Sequence, residues 1–185
     1  QTFPSPGQRR RVSVSGGSDP RWRRDGKELF YIAADGKMMA IPVTLGEVPA
    51  FGAPVALFDV KISNPTREGT LYDVSADGRR LLITRAVSNV NSDIYLVDIA
   101  SGERALLTSH EGEILFDSAQ FDRTGARVYL VSNGNSDGVT RRAVIDIATK
   151  ALTFLDTEGP WEVQSLGLSP DRRLMGWTVN VDGYA

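Results

Sequence analysis

Short apolar or alternating runs separated by Gly-, Asp- and Ser-rich breaks recur along the chain, and no stretch shows the 3.6-residue spacing of a capped amphipathic helix. The pattern predicts an all-β chain. Apolar strands such as Leu29–Ile32 and Val128–Val131 each follow a turn of the Ser/Arg-x-Asp-Gly kind, in which Gly26, Gly78 and Gly125 supply the positive φ a tight hairpin needs. A third strand is predicted in three places, Lys37–Val43, Asp93–Ile99 and Arg141–Ile147. A second turn (Ala100–Arg104, Ala148–Ala151) then leads to a fourth strand at Val55–Val60, Ala105–Thr108 and Leu152–Asp156. Arg10–Ser15 alternates polar and apolar residues and reads as the outer strand of a preceding unit.

These strands belong to a repeat. Arg21–Ile32, Asp73–Ile83, Gln120–Val131 and Leu168–Trp177 answer one another, and aligned on Asp25, Asp77, Thr124 and Asp171 they are spaced 52, 47 and 47 residues apart. A period near that length is the signature of propeller blades. In the fourth segment Arg172 follows Asp171 where the others have glycine, so that turn is expected to differ. The units run over residues 10–15 (one outer strand), 16–60, 68–109, 115–157 and, incomplete, 162–185. The fold class expected is an all-β propeller segment of about four blades, each a four-stranded antiparallel sheet, within a ring of six to eight blades. The alternative is a closed four-bladed ring in which Arg10–Ser15 completes the last sheet.

Composition narrows the chemistry. The chain has no cysteine and one histidine, His110, so thiolate catalysis, Cys-bound zinc and sites built on several histidines are excluded. The net charge of −2 hides an uneven spread, with residues 1–30 carrying +4 and the remainder −6. The basic start alternates like the solvated face of strands, so no nucleic-acid partner is expected. No apolar run reaches the ~20 residues of a membrane helix, and residues 1–20 lack a signal-like apolar stretch.

The turn signature resembles the WD-repeat-like propellers of bacteria, including the TolB-like ones. Ser15–Tyr31 and Tyr72–Gly78 resemble propellers fused to bacterial Ser/Thr protein kinases. Ser92–Gly102, Leu107–Glu113, Pro160–Val163 and Val179–Tyr184 resemble the N-terminal propeller of prolyl oligopeptidase-family serine peptidases. The peptidase resemblance implies a bacterial protein, cytoplasmic or periplasmic, in which the propeller gates peptide access to a hydrolase domain carried elsewhere in the parent chain. The alternative is a ligand- or protein-binding sensor or scaffold propeller of the TolB-like type.

No catalytic, cofactor-binding or metal-binding residue is assigned. A Gly-x-Ser-x-Gly elbow is missing, and the nearest text, Ser13–Gly17, lacks the first glycine. Asn133–Gly138 offers alternating oxygen donors, but Val144 stands where an EF-hand needs its last carboxylate, and the segment reads as a hairpin loop. The residues expected to meet a peptide substrate, a protein partner or the channel are Trp161, His110 and Glu111, in connections between units, and Glu162, which opens the last unit. His110 is expected to play a local structural role, and Trp22 to pack in the core.

Overall fold

The computed structural model describes residues 11–60, 71–156, 159 and 161–182. The chain divides into two compact units, residues 1–60 and 61–185. The first contains one sheet made of β1 (Gly17–Trp22), β2 (Glu28–Ala33), β3 (Lys37–Thr44), β4 (Ala50–Phe51) and β5 (Val55–Asp59). It runs β1-β2-β3, and both β4 and β5 pair antiparallel with β3.

The second unit holds three sheets. One is β6 (Tyr72–Val74), β7 (Arg80–Ala86), β8 (Ser92–Asp98) and β9 (Arg104–Leu106). The next is β10 (Phe116–Phe121), β11 (Arg127–Ser132), β12 (Arg141–Asp146) and β13 (Leu152–Phe154), and the last is the pair β14 (Glu162–Leu168) and β15 (Met175–Asn180). Each pairs its strands antiparallel in sequence order, so the meander predicted from the turns is the one found.

Of the strand expected at Arg10–Ser15, Arg10 lies outside the described residues and residues 11–15 carry none. The Arg11 guanidinium instead bonds the backbone carbonyls of Ser13 and Val14, so the segment bends on itself and offers no ladder edge. Alternation marks a strand only when a partner strand receives it.

The first hairpin turn is built alike in all four sheets. Arg23, Ser75, Asp122 and Ser169 each donate their backbone N–H across the turn, to Glu28, Arg80, Arg127 and Leu174 at 2.8–2.9 Å. The carbonyls of the same four residues accept from Gly26, Gly78, Gly125 and Arg172. Asp25, Asp77, Thr124 and Asp171 each accept, through a side-chain oxygen, the N–H two residues on, which is the local bond that favours such residues in turns. The expected difference at the fourth turn is therefore overturned. Arg172 adopts φ 60°, the left-handed geometry that Gly26, Gly78 and Gly125 hold at 69–74°.

Alternation along the strands packs one sheet on the next. In β11, Val128 and Leu130 join Leu82, Ile94 and Leu107 of the preceding sheet in a core completed by Phe116, Phe121, Ala143 and Ile145. The intervening Tyr129 and Val131 face the other way and pack with Val163, Leu166 and Met175. A two-residue period thus lets one strand serve two interfaces. In the first unit Leu29, Tyr31, Ile41 and Val43 form one face with Val12 and Phe51, and Phe30, Ile32, Met38 and Ala40 on the opposite face are buried too.

Trp22 is not a core residue as expected: it is 52% exposed, with its ring tilted against Phe51 at 6.2 Å. Phe121 and Leu168 stand at the matching turn positions, and Phe121 is 1% exposed. The repeat conserves the position, but the depth of the site differs from sheet to sheet.

Candidate functional site

Register places the candidate residues. Phe116 at the start of β10 lies opposite Ser132 at the end of β11, and Ser132 lies opposite Arg141 at the start of β12. The connection entering β10 and the β11–β12 loop therefore share one end of their sheet. Glu162 opposite Asn180 repeats this arrangement in the last sheet. His110 and Glu111 lie in the connection between β9 and β10, and Trp161 in the one between β13 and β14, with Glu162 opening β14.

These connections are tied down by backbone bonds. Ser92 N donates to Ile114 O at 3.0 Å, Val163 N to Thr140 O at 2.8 Å, and Leu115 N to Asn133 Oδ1 at 2.8 Å. The buried Arg141 side chain donates to Gly159 O at 2.9 Å and pairs with Asp137 at 2.7 Å, which holds the Asp137 carboxyl below its ordinary range. The entries to β10 and β14 are thus each fastened to the sheet before it.

His110 is held from both ring nitrogens. Nδ1 donates to the Thr108 carbonyl at 2.9 Å, Nε2 lies 3.1 Å from the Asn91 side-chain amide, and the ring meets Phe116 edge-on at 5.3 Å. The Asp93 carboxylate stands 3.8 Å from Nδ1. The histidine thus ties its loop to the start of the β8 strand, the local role expected of it. Glu111 and Glu162 are exposed, Glu162 accepting a 3.4 Å bond from the Asn180 amide, and Trp161 is 38% exposed.

The end of the sheets that carries these residues is also where apolar side chains reach water. Val87 and Val90 in the β7–β8 loop, Leu155 and Trp161 between β13 and β14, and Val181 after β15 are all exposed. Glu111, Glu113 and Glu162 are exposed at the same end, so this rim carries both apolar and acidic side chains.

The Asn133–Gly138 loop is tied to its neighbours by side-chain bonds, while Asn135 Oδ1 is buried without a hydrogen-bond partner among the described residues. Asn133 accepts from Leu115, Asn135 donates to Val139 O, and Asp137 accepts from Val139 N and Arg141. Among the described residues no group of three His, Cys, Asp or Glu side chains is placed to hold a metal, and no helix is long and apolar enough to cross a membrane. A cavity of about 610 Å³ lies against the first sheet, over Tyr31, Ala33, Met39 and Ala56, with Asp35 and Lys37 among its lining residues. That Asp–Lys pair is joined at 2.7 Å, so the lining brings no convergent reactive groups together.

Two arrangements escaped the reading of the sequence. Arg142 lies 3.6 Å over the Trp177 ring while bonding the Asp156 carboxylate with two guanidinium nitrogens, which holds Asp156 below its ordinary range. Arg172 reaches from the last sheet to the buried Asp73 at 2.7 Å. The one signal for the second was an arginine standing where the repeat has glycine.

No family model matches the chain, and no curated protein is similar to it in sequence. Solved structures are similar in fold. TolB from Acinetobacter baumannii superposes with a TM-score of 0.61 at 18% identity, over 88% of this chain and 37% of its own. Oligogalacturonate lyase from Vibrio parahaemolyticus gives 0.61 at 13%, over 89% and 46%, and a prolyl endopeptidase 0.54 at 17%, over 82% and 23%. The chain therefore spans less than half the length of each of these three proteins. Together with the successive antiparallel sheets, these likenesses establish the fold as an all-β, TolB-like β-propeller segment of about four blades.

Proposed function

We propose that the chain is the non-catalytic propeller part of a prolyl oligopeptidase-like serine peptidase, filtering peptides on their way to a hydrolase domain elsewhere in the same polypeptide. The observation that carries this reading is the apolar and acidic rim at one end of the sheets, with Trp161 and Glu162 on one connection and Glu111 and Glu113 on another. Such a rim can sort substrates by size and side chain without touching the reacting bond. In a nucleophilic triad the histidine bridges a serine and a carboxylate, whereas the His110 ring nitrogens meet the Thr108 carbonyl and the Asn91 side chain, and residues 1–185 contain no Gly-x-Ser-x-Gly elbow.

The test is made on the full-length protein. A fluorophosphonate probe should label one serine outside residues 1–185. Trp161→Ala should change kcat/KM for long peptides and leave a short chromogenic ester unaffected. Absence of a labelled serine, or equal effects on long and short substrates, would sink the proposal.

The likeness to TolB over 88% of this chain favours a second reading, a propeller that binds a protein partner, alone or fused to a Ser/Thr kinase domain. On that reading the full-length protein has no phosphonate-reactive serine, and Trp161→Ala weakens partner binding instead.

A further inference from the structure

The residue two before each first hairpin turn in the second unit is Asp73, Gln120 or Gly167. Asp73 Oδ2 accepts the backbone N–H of Phe121 in the next sheet at 2.9 Å. Gln120 Oε1 accepts the N–H of Leu168 in the sheet after that at 3.1 Å, and its Nε2 donates to Leu166 O at 3.2 Å. Phe121 and Leu168 hold the same place, one residue before the turn, so one bond is repeated sheet by sheet. At Gly167 the series ends, because glycine has no side chain to extend, and a Cβ built there would touch nothing.

Arg172 closes this series from the other side. Its guanidinium donates to Asp73 Oδ1 at 2.7 Å, to Phe121 O at 3.2 Å and to Gln120 Oε1 at 3.4 Å, touching residues of both preceding sheets. The Asp73 side chain is 2% exposed and that of Arg172 20%. An L residue in the left-handed region is strained where glycine is not. Arginine stands at φ 60° here, and this turn delivers its side chain to a buried carboxylate 99 residues earlier in the chain.

Repeat folds ordinarily couple only nearest neighbours, and a two-stranded sheet on its own is marginal. We infer that Asp73, Gln120 and Arg172 form a coupling device that makes the three sheets of residues 71–182 open as one cooperative block. The β14–β15 pair takes part in that block through Arg172, which bonds its second neighbour as well as its first.

Native-state hydrogen exchange on the 185-residue chain tests this. In the wild type the slowest amides of β7, β11 and β14 should share one opening. Arg172→Gly puts at this turn the residue the other three turns hold, so the hairpin survives while β14–β15 should exchange roughly a hundredfold faster, in a separate opening. Arg172→Lys keeps the charge but lacks the planar fork that bonds three acceptors, and should separate the same amides. Wild-type sheets that already exchange independently overturn the inference. So do variants in which β14–β15 still exchange in step with β11, however much stability is lost.

Discussion

Ser92→Ala isolates the bond that splices the second sheet to the third. Ser92 opens β8, is wholly buried, and its hydroxyl donates to Phe116 O at 2.7 Å while accepting Phe116 N–H at 2.8 Å. Phe116 faces Ser132 across the ladder at 3% exposure, and this one hydroxyl serves both of its backbone groups. Alanine removes one oxygen and strands both a donor and an acceptor. Each stranded buried group costs about 1–3 kcal/mol, and the gap left by a hydroxyl is too small for a water to replace it, so a loss of about 2–4 kcal/mol is expected. That is a large share of the roughly 5–15 kcal/mol that holds a domain together. Urea unfolding followed by tryptophan fluorescence reads it as a fall in midpoint of about 1–2 M with an unchanged slope. Ser101→Ala, at an exposed turn serine, should stay within about 0.5 kcal/mol and serves as the control. A Ser92→Ala cost as small as the control would refute the reasoning, since it would mean Phe116 has other partners.

Other consequences are as direct. Asp25 is held at a pKa of about 2, first by its bond to Arg23 and then by the Lys27 N–H; an NMR titration should find it there, and Arg23→Ala should move it toward ~3.9. Arg142 likewise lowers the Asp156 pKa, so this pair stabilises the fold above the unfolded carboxyl value of ~3.9, and the contribution is lost as pH falls through the lowered folded value. Asp156→Asn should accordingly cost stability at neutral pH and flatten that part of the acid unfolding curve. Gly125→Ala should cost about 1–2 kcal/mol in thermal unfolding, because φ is +74° and the new Cβ would lie 2.9 Å from the Arg80 guanidinium that bonds Gly125 O. Trp177→Ala should cost about 1 kcal/mol through loss of the ring under Arg142, measured in the same way.

How much of this was legible in the chain varies with the range of the interaction. The hairpins were, because Gly26, Gly78 and Gly125 with their Asp or Thr partners act within five residues, and the strands after them declare their faces by alternation. The local role of His110 was legible only in part, since Thr108 is two residues away but Asn91 is 19 residues away, before β8 and β9. Arg10–Ser15 misled because a strand is a property of two chains in register, and one segment cannot show whether its partner is there. Trp22 misled because the repeat records a position and not how deeply a given sheet buries it.

Local chemistry thus determined the all-β class, the meander and the repeat, since turn φ values and a two-residue side-chain period are set by neighbours along the chain. It misjudged the fourth turn for the same reason: locally, an arginine at the glycine position argues for a different geometry. Only the tertiary structure decided where the Arg172 side chain goes, because Asp73, Gln120 and Phe121, which it bonds, come from two other sheets.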